Sequence, residues 1–320
     1  MKKSLLALCI VSFTPIAALA DVVIYGKANL SVQNADEVAL DDSRVEVVSN
    51  ASRIGIKGGE EFNSSLKLIY QFEYQTEVDD GTNGSQTLGQ RNIYVGLQST
   101  AGTIMAGHFD TPTKVIQEKV DVFNDLEGDL THIFKGEIRA SNIVQYVTPT
   151  FAGGFAASVA YVSEERDGVF SQCPASAGPT CKTTNGTSLS LSYTSPAFYA
   201  AIAADKDVEF DGVDLIRAVA RFTLGPVQLG VLAEQYEVAN TDIDENGVLG
   251  SVLWNLSDKW AVKGQYGQSD VKMADGETAS VGVDYKMSKS TTFYSYATKV
   301  ENEIGTRDDT YVGAGIDFKF

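Results

Sequence analysis

The sequence predicts an all-β chain, a 16-stranded antiparallel transmembrane β-barrel with short periplasmic turns at one end and longer extracellular loops at the other. Three observations carry this expectation. A period-two alternation of apolar and polar residues returns about sixteen times. A leader of the exported kind precedes it, and no apolar run after residue 20 reaches helix-spanning length. The chain also closes on an alternating segment, TYVGAGIDFKF, with Phe320 as its last residue.

The leader comes first. MKKSLLALCIVSFTPIAALA opens on Lys2 and Lys3, runs through a short apolar stretch interrupted by Pro15, and ends on Ala18-Leu19-Ala20. This is the pattern of a secretory signal peptide spanning 1–20, which leaves 21–320 for the barrel. The run falls short of the ~20 residues a spanning helix needs. Loss of the two lysines takes the formal charge from −17 to −19. A chain so acidic, with a pI near 4.5, has no basic patch to offer nucleic acid. Its apolar residues, 43% of the total, are patterned, which excludes a disordered chain.

The strands follow from the alternation. In the last segment Val312, Ala314, Ile316, Phe318 and Phe320 share one side, and Tyr311, Gly313, Gly315, Asp317 and Lys319 the other. LKLIYQFEY sets Leu66, Leu68, Tyr70, Phe72 and Tyr74 against Lys67, Gln71 and Glu73. VQLGVLAEQ sets Val227, Leu229, Val231 and Ala233 against Gln228 and Glu234. Segments of this kind begin near Val22, Ala51, Leu66, Leu88, Thr103, Ile138, Gly154 and Gly186, then near Ala197, Val213, Val227, Val248, Trp260, Thr278, Thr291 and Thr310. Tight turns such as FNSS, TAG, LGP and SKS alternate with longer polar loops, among them 33–50, 110–137 and 163–185. A soluble sandwich would bury the apolar faces in a second layer. Here the opposite faces carry Arg, Lys, Gln, Glu and Ser, which suits a closed wall with apolar side chains toward lipid. Tyr94, Tyr161, Tyr193, Trp254, Trp260 and Tyr285 at strand ends are expected in interfacial girdles, and the strand ending in Phe320 is expected to pair with Val22–Val32.

Charged and thiol residues add detail. Arg53 and Lys57 alternate with Ile54 and Ile56, so they face the lumen, because a charge in hydrocarbon costs about 2–4 kcal/mol at the midplane. Arg217, Arg221, Lys263 and Lys299 are read as lumen charges that keep the interior wet. Cys173 and Cys181, in CPASAGPTC, are expected to form a disulfide in an oxidising compartment. A metal site would want more Cys or His nearby, and the chain has only His108 and His132. DIDENG at 242–247 resembles part of a calcium loop, but Leu253 stands where the bidentate Glu belongs, so a solvated acidic loop is expected. No cofactor is implied.

DVVIYGKANLSV at 21–32, SRIGIKGGEEF at 52–62, RNIYVGL at 91–97, TIMAGHFDTP at 103–112 and IRASNIVQYVTPTFAGGF at 138–155 resemble the general porin family of Gram-negative outer membranes. The terminal strand matches as well, so the resemblance spans the mature chain in family order. It implies a homotrimer of 16-stranded barrels, set among outer-membrane lipid and lipopolysaccharide, that passes small hydrophilic solutes passively. It also implies that the third long loop, 110–137, folds inward as a constriction. Asp121, Asp125, Glu127 and Asp129 on that loop would face a basic wall of Lys27, Arg53, Arg91 and Arg139, with Lys57 continuing the face of Arg53. The loop reads NDLEGD where the family has a Pro-rich, glycine-paired tip.

The function expected is a diffusion channel with a modest cation preference, because the loops at the mouth carry Asp36, Glu37, Asp41, Asp42, Asp79, Asp80, Asp242, Asp244 and Glu245. A solute-specific porin would show an inward aromatic stripe, which the alternation does not reveal. A surface-binding or adhesive barrel would want longer loops. A barrel enzyme would need a base beside a nucleophile, and both histidines fall at or within the constriction loop.

Overall fold

The computed structural model describes residues 22–38, 42–80, 88–117, 120–164, 185–302 and 307–320. The leader and the pair Cys173 and Cys181 lie outside the described residues.

The alternating segments form one sheet. Its first half comprises β1 (Val23–Glu37), β2 (Asp42–Ser49), β3 (Arg53–Asn63), β4 (Leu66–Thr76), β5 (Leu88–Ser99), β6 (Gly102–Asp110), β7 (Arg139–Val147), β8 (Phe155–Val162) and β9 (Gly186–Thr194). Then come β10 (Phe198–Lys206), β11 (Val213–Leu224), β12 (Val227–Val238), β13 (Asp244–Asn255), β14 (Trp260–Ser269), β15 (Gly276–Lys286), β16 (Thr291–Asn302) and β17 (Asp308–Lys319). The pairings are antiparallel, and β17 returns to β1 in a ladder from Lys27↔Lys319 to Asp36↔Thr310. β2 pairs with the outer part of β1 and β3 with its inner part, so the two share one place in a wall of sixteen strands. Closure leaves no sheet edge, which is what a β structure in lipid requires.

At the seam, Gly26 N–H donates to the Phe320 carbonyl at 2.9 Å, and Phe320 N–H donates to the Gly26 carbonyl at 3.1 Å. The Phe320 ring lies over Gly26 so closely that a Cβ there would sit 2.3 Å from it.

Side chains sort by parity as a barrel demands. In β11, Val213, Leu215, Arg217 and Val219 are buried on the inner face while Ile216, Phe222 and Leu224 are exposed on the outer. At the short-turn end, Phe151, Phe155, Tyr193, Phe198 and Phe222 form a row with centroids 6.0, 4.9, 6.3 and 4.8 Å apart. Trp260 continues it against Tyr285 at 4.7 Å. Such rings, apolar in body and polar at the edge, suit the boundary of hydrocarbon and water. Tyr94 departs from the expected girdle. It points inward, meets Phe109 edge-on at 5.7 Å and directs its hydroxyl toward Gln71.

Three other expectations change. The stretch 33–50 is mostly strand, because its polar residues alternate rather than cluster. Gln33 donates to Glu46 across β1 and β2 at 2.8 Å, and Arg44 pairs with Glu37 and Glu46, while Val45 and Val47 face outward. The second barrel strand therefore starts at Asp42 and breaks only at Asn50–Ser52, where Ala51 takes a φ of 50°. The stretch 242–247 is likewise strand from Asp244 onward, paired with β12. Lys299 faces outward beside Ala279, bound to Glu301 and Asp308 three residues from the long-loop end, where a charge costs little.

The segment between β6 and β7 occupies the interior. It carries helix α1 (Pro112–Gln117) and a 3-10 turn at Leu130–His132. Ile116, Val120, Leu130, Ile133 and Phe134 pack against Tyr199, Ala201, Ala203, Val219, Leu232 and Leu249 on the inner wall of β10–β13. Phe123 and Leu126 pack against Ala35, Tyr294, Tyr296, Val300 and Tyr311. Each large apolar side chain enclosed this way contributes about 1.5–3 kcal/mol.

Candidate functional site

The loop hugs the β9–β16 half of the wall and reaches the other half at its tip. There Asp125, held at a φ of 67° with its N–H donated to Asp129 Oδ2 at 2.9 Å, meets two cations. Its Oδ2 lies 2.8 Å from Lys27 Nζ and 3.4 Å from Arg53 Nη1. Lys27 and Arg53 are direct cross-strand partners in β1 and β3, so their like charges need the carboxylate between them. The two cations hold the Asp125 carboxyl below its ordinary range against the effect of burial, which alone would raise it.

The arginine row continues around the wall through two register shifts. Between β4 and β5 the register moves from Phe72↔Ile93 to Tyr74↔Gln90, so Glu73 confronts both Arg91 and Asn92. Arg91 Nε lies 2.8 Å from Glu73 and its Nη1 donates to Gln75 at 3.1 Å. Between β6 and β7 a second shift, at Gly107, sets Asp110 opposite Arg139. Arg139 Nε lies 3.0 Å from both Asp110 and Asn92. Lys114, on the first turn of α1, adds a weaker pair to Asp110 at 3.7 Å. Arg53, Arg91 and Arg139 keep 24%, 14% and 17% of their side-chain surface, so none of the three is sealed off. Lys57 stands apart over the Tyr25 ring, 5.0 Å from its centroid.

The four loop acids occupy different places. Asp121 turns back into the loop and accepts from Phe123 N–H at 3.0 Å, Leu130 N–H at 3.2 Å and Gln265 Nε2 at 3.0 Å. Its enclosure, with Asp129 nearby, pushes its carboxyl up to about 8. Asp129 caps the 3-10 turn through Thr131 N–H at 2.8 Å, and burial raises it too. Glu127 accepts from Gln33 at 2.9 Å and lies 3.8 Å from His132, whose imidazole is driven down to about 4 by burial and by Arg307 and Lys272. Only Asp125 touches the basic wall. The cluster thus sets Lys27, Arg53, Arg91, Arg139 and Lys114 against Asp125, Glu73, Asp110 and Glu137, a formal excess of one positive charge.

Sequence reasoning missed Asp110 and gave Glu73 no role. The parity of LKLIYQFEY already put Glu73 inward, but Asp110 is the last residue of β6, past the register shift with β7, where alternation gives no further guide. It also missed Arg217, which is fully buried rather than wet.

A closed barrel with an interior loop and opposed charges invites comparison with known proteins. The family model described as Gram-negative porin matches residues 5–305. The chain belongs to that family. Its relatives include the major outer membrane protein P.IB of Neisseria gonorrhoeae, 28% identical over 99% of this chain and 90% of that one. The P.IB protein of Neisseria meningitidis serogroup B is 26% identical over the whole of both. Among solved structures, an anion-selective porin from Comamonas acidovorans shares the fold with a TM-score of 0.77 and 20% identity, covering 94% of this chain and all of the other. Salmonella typhi OmpF, solved in complex with daunomycin, gives 0.72 at 18% identity, covering 93% and 97%. The chain is a porin of the outer membrane.

Proposed function

We propose that this porin is a water-filled channel for passive diffusion of ions and small hydrophilic solutes, working as a homotrimer. We further propose that its eyelet lies between the 110–137 loop and the row Arg53, Arg91 and Arg139. The observation that supports this reading best is the partly exposed arginine row opposite Asp125, with charge of both signs left in contact with the lumen. Opposed charges across water order the solvent and repel apolar solutes, so polar solutes pass.

Ion preference follows from two opposed sets. Acids near the mouth, such as Glu37, Asp79, Asp80 and Glu245, attract cations. The eyelet's excess of one positive charge favours anions. Charges exposed at the mouth are screened beyond about 8 Å at physiological salt, and partly buried eyelet charges are screened less. The channel therefore prefers cations weakly in dilute salt, and that preference declines toward anions as salt rises. In a planar bilayer, one insertion event should give a large conductance that closes in three equal steps. Reversal potentials across salt gradients, taken at low and high mean concentration, test the selectivity. No conductance would overturn the channel reading, single-step closure the trimer, and a salt-independent reversal potential the two opposed sets.

A further inference from the structure

The loop's apolar docking fixes its middle, and Asp125 fixes its tip. Its two roots converge on one side chain. Arg217 projects inward from β11 and is completely enclosed. Its Nε and Nη2 lie 2.7 and 2.6 Å from Glu234 Oε2 on β12. Nη1 donates to Glu137 Oε1 at 2.5 Å and to the Thr113 carbonyl at 3.5 Å, and Nη2 also donates to the Lys135 carbonyl. One planar guanidinium thus bonds the outgoing root at Thr113, the returning root at Lys135 and Glu137, and the wall.

We propose that Arg217 is the positioning residue of the eyelet, holding both roots of the constriction loop in register with the wall; the inference rests on the channel reading above. Three features converge on this role. Glu234 Oε1 accepts from Lys135 N–H at 3.0 Å, so the returning root is bonded twice from the wall. Gly136 between them takes a φ of 73°, and a Cβ there would come within 3.1 Å of Arg217 Nη2, so the backbone is shaped to present both neighbours. Thr113 Oγ1 donates to Asp205 at 2.5 Å and meets Ser188 Oγ at 3.3 Å, which orients the outgoing root on β9 and β10. A fork of five fixed donors can serve these acceptors together, which a lysine ammonium cannot. The roots adjoin Lys114 on one side and Arg139 on the other, so a shift at Arg217 moves charges of the eyelet. Arg217 itself has no surface on the lumen and does not meet the permeant.

The experiment is single-channel recording of Arg217→Met, Arg217→Lys and Glu137→Gln. The last keeps the Arg217–Glu234 pair and loosens only one root, so it serves if the Arg217 variants fail to fold. Each should show open-channel current noise several-fold above the unmodified protein. Thr113→Cys with Ser188→Cys, on a background with Cys173 and Cys181 changed to serine, pins the outgoing root independently. Oxidising that pair should quiet the noisy variant, and reduction should restore the noise. Quiet variants, or noise indifferent to oxidation, would each overturn the proposal. Absence of conductance in the unmodified protein would overturn the channel reading instead, so the two failures are distinct.

Discussion

Asparagine at Asp121 tests how the loop stays docked. The Asp121 carboxyl accepts two backbone N–H groups and Gln265 Nε2, with no cation among those partners, and its enclosure near Asp129 pushes it up to about 8. An undocked loop would titrate near the ordinary value of about 4. Between those values the docked loop keeps a proton that the undocked loop has lost. The docking advantage is therefore full below about pH 4, shrinks as pH rises, and levels off above about pH 8. Docking weakens as pH rises through that window. Against this stand Ile116, Val120, Leu130, Ile133 and Phe134, each contributing about 1.5–3 kcal/mol when buried. The loop thus remains docked at neutral pH and is held less tightly in alkali. Open-channel noise of the unmodified protein should rise from about pH 6 to about pH 9, while Asp121→Asn, which cannot ionise, should stay level across that range. Identical pH dependence in the two proteins would show that Asp121 is not the group responsible. A flat profile in the unmodified protein would show that its carboxyl is already ionised at neutral pH.

Asp125→Asn should move the reversal potential toward anions, and Arg53→Gln with Arg91→Gln should move it toward cations; an unchanged value in both would place the eyelet elsewhere. Gly26→Ala forces a Cβ to within 2.3 Å of the Phe320 ring, an overpacking of about 1–3 kcal/mol that should lower the barrel's melting temperature in detergent. Trimming the ring with Phe320→Ala should relieve most of that loss, and no relief would locate the clash at the Arg53 carbonyl, 2.9 Å away. Mass spectrometry of the unreduced mature chain should find it two hydrogens lighter, from a Cys173–Cys181 bond that stabilises its short loop by about 2–3 kcal/mol. Two thiols open to alkylation would refute that bond.

The wall was legible because the signal is local. The alternation in LKLIYQFEY or VQLGVLAEQ needs no knowledge of the rest of the chain, and closure by β17 on β1 followed from a terminal strand with one apolar face. What alternation could not show was a residue whose inward partner is apolar. Val219, Leu232 and Leu249 break the polar-inward rule because the loop covers them. The loop announced this in its own composition, since Ile116, Val120, Phe123, Leu130, Ile133 and Phe134 are too many large apolar residues for a solvated connection. Asp110 was hidden by its place at the end of β6, and Lys299 by its place near the rim, where parity no longer dictates polarity. The acids of the loop were legible as a group but not individually, because hydrogen bonds to backbone N–H groups turn Asp121 and Asp129 back into the loop and leave Asp125 at the tip.

The one-sided seat of the loop bears on how such a protein can diversify. Most of its anchoring contacts lie on β9–β16, with Arg217, Glu234 and Gln265 as polar anchors, while the charges proposed to line the eyelet wall lie on β1 and β3–β7. The two sets overlap at Lys27 and Arg53, which hold the loop tip through Asp125. A substitution at Arg91 or Arg139 can thus alter what passes without loosening what holds the passage in shape, and drift among the anchors can proceed under a different constraint. Descendants facing new nutrients or toxins have a lumen they can rewrite one residue at a time, on a frame that stays put.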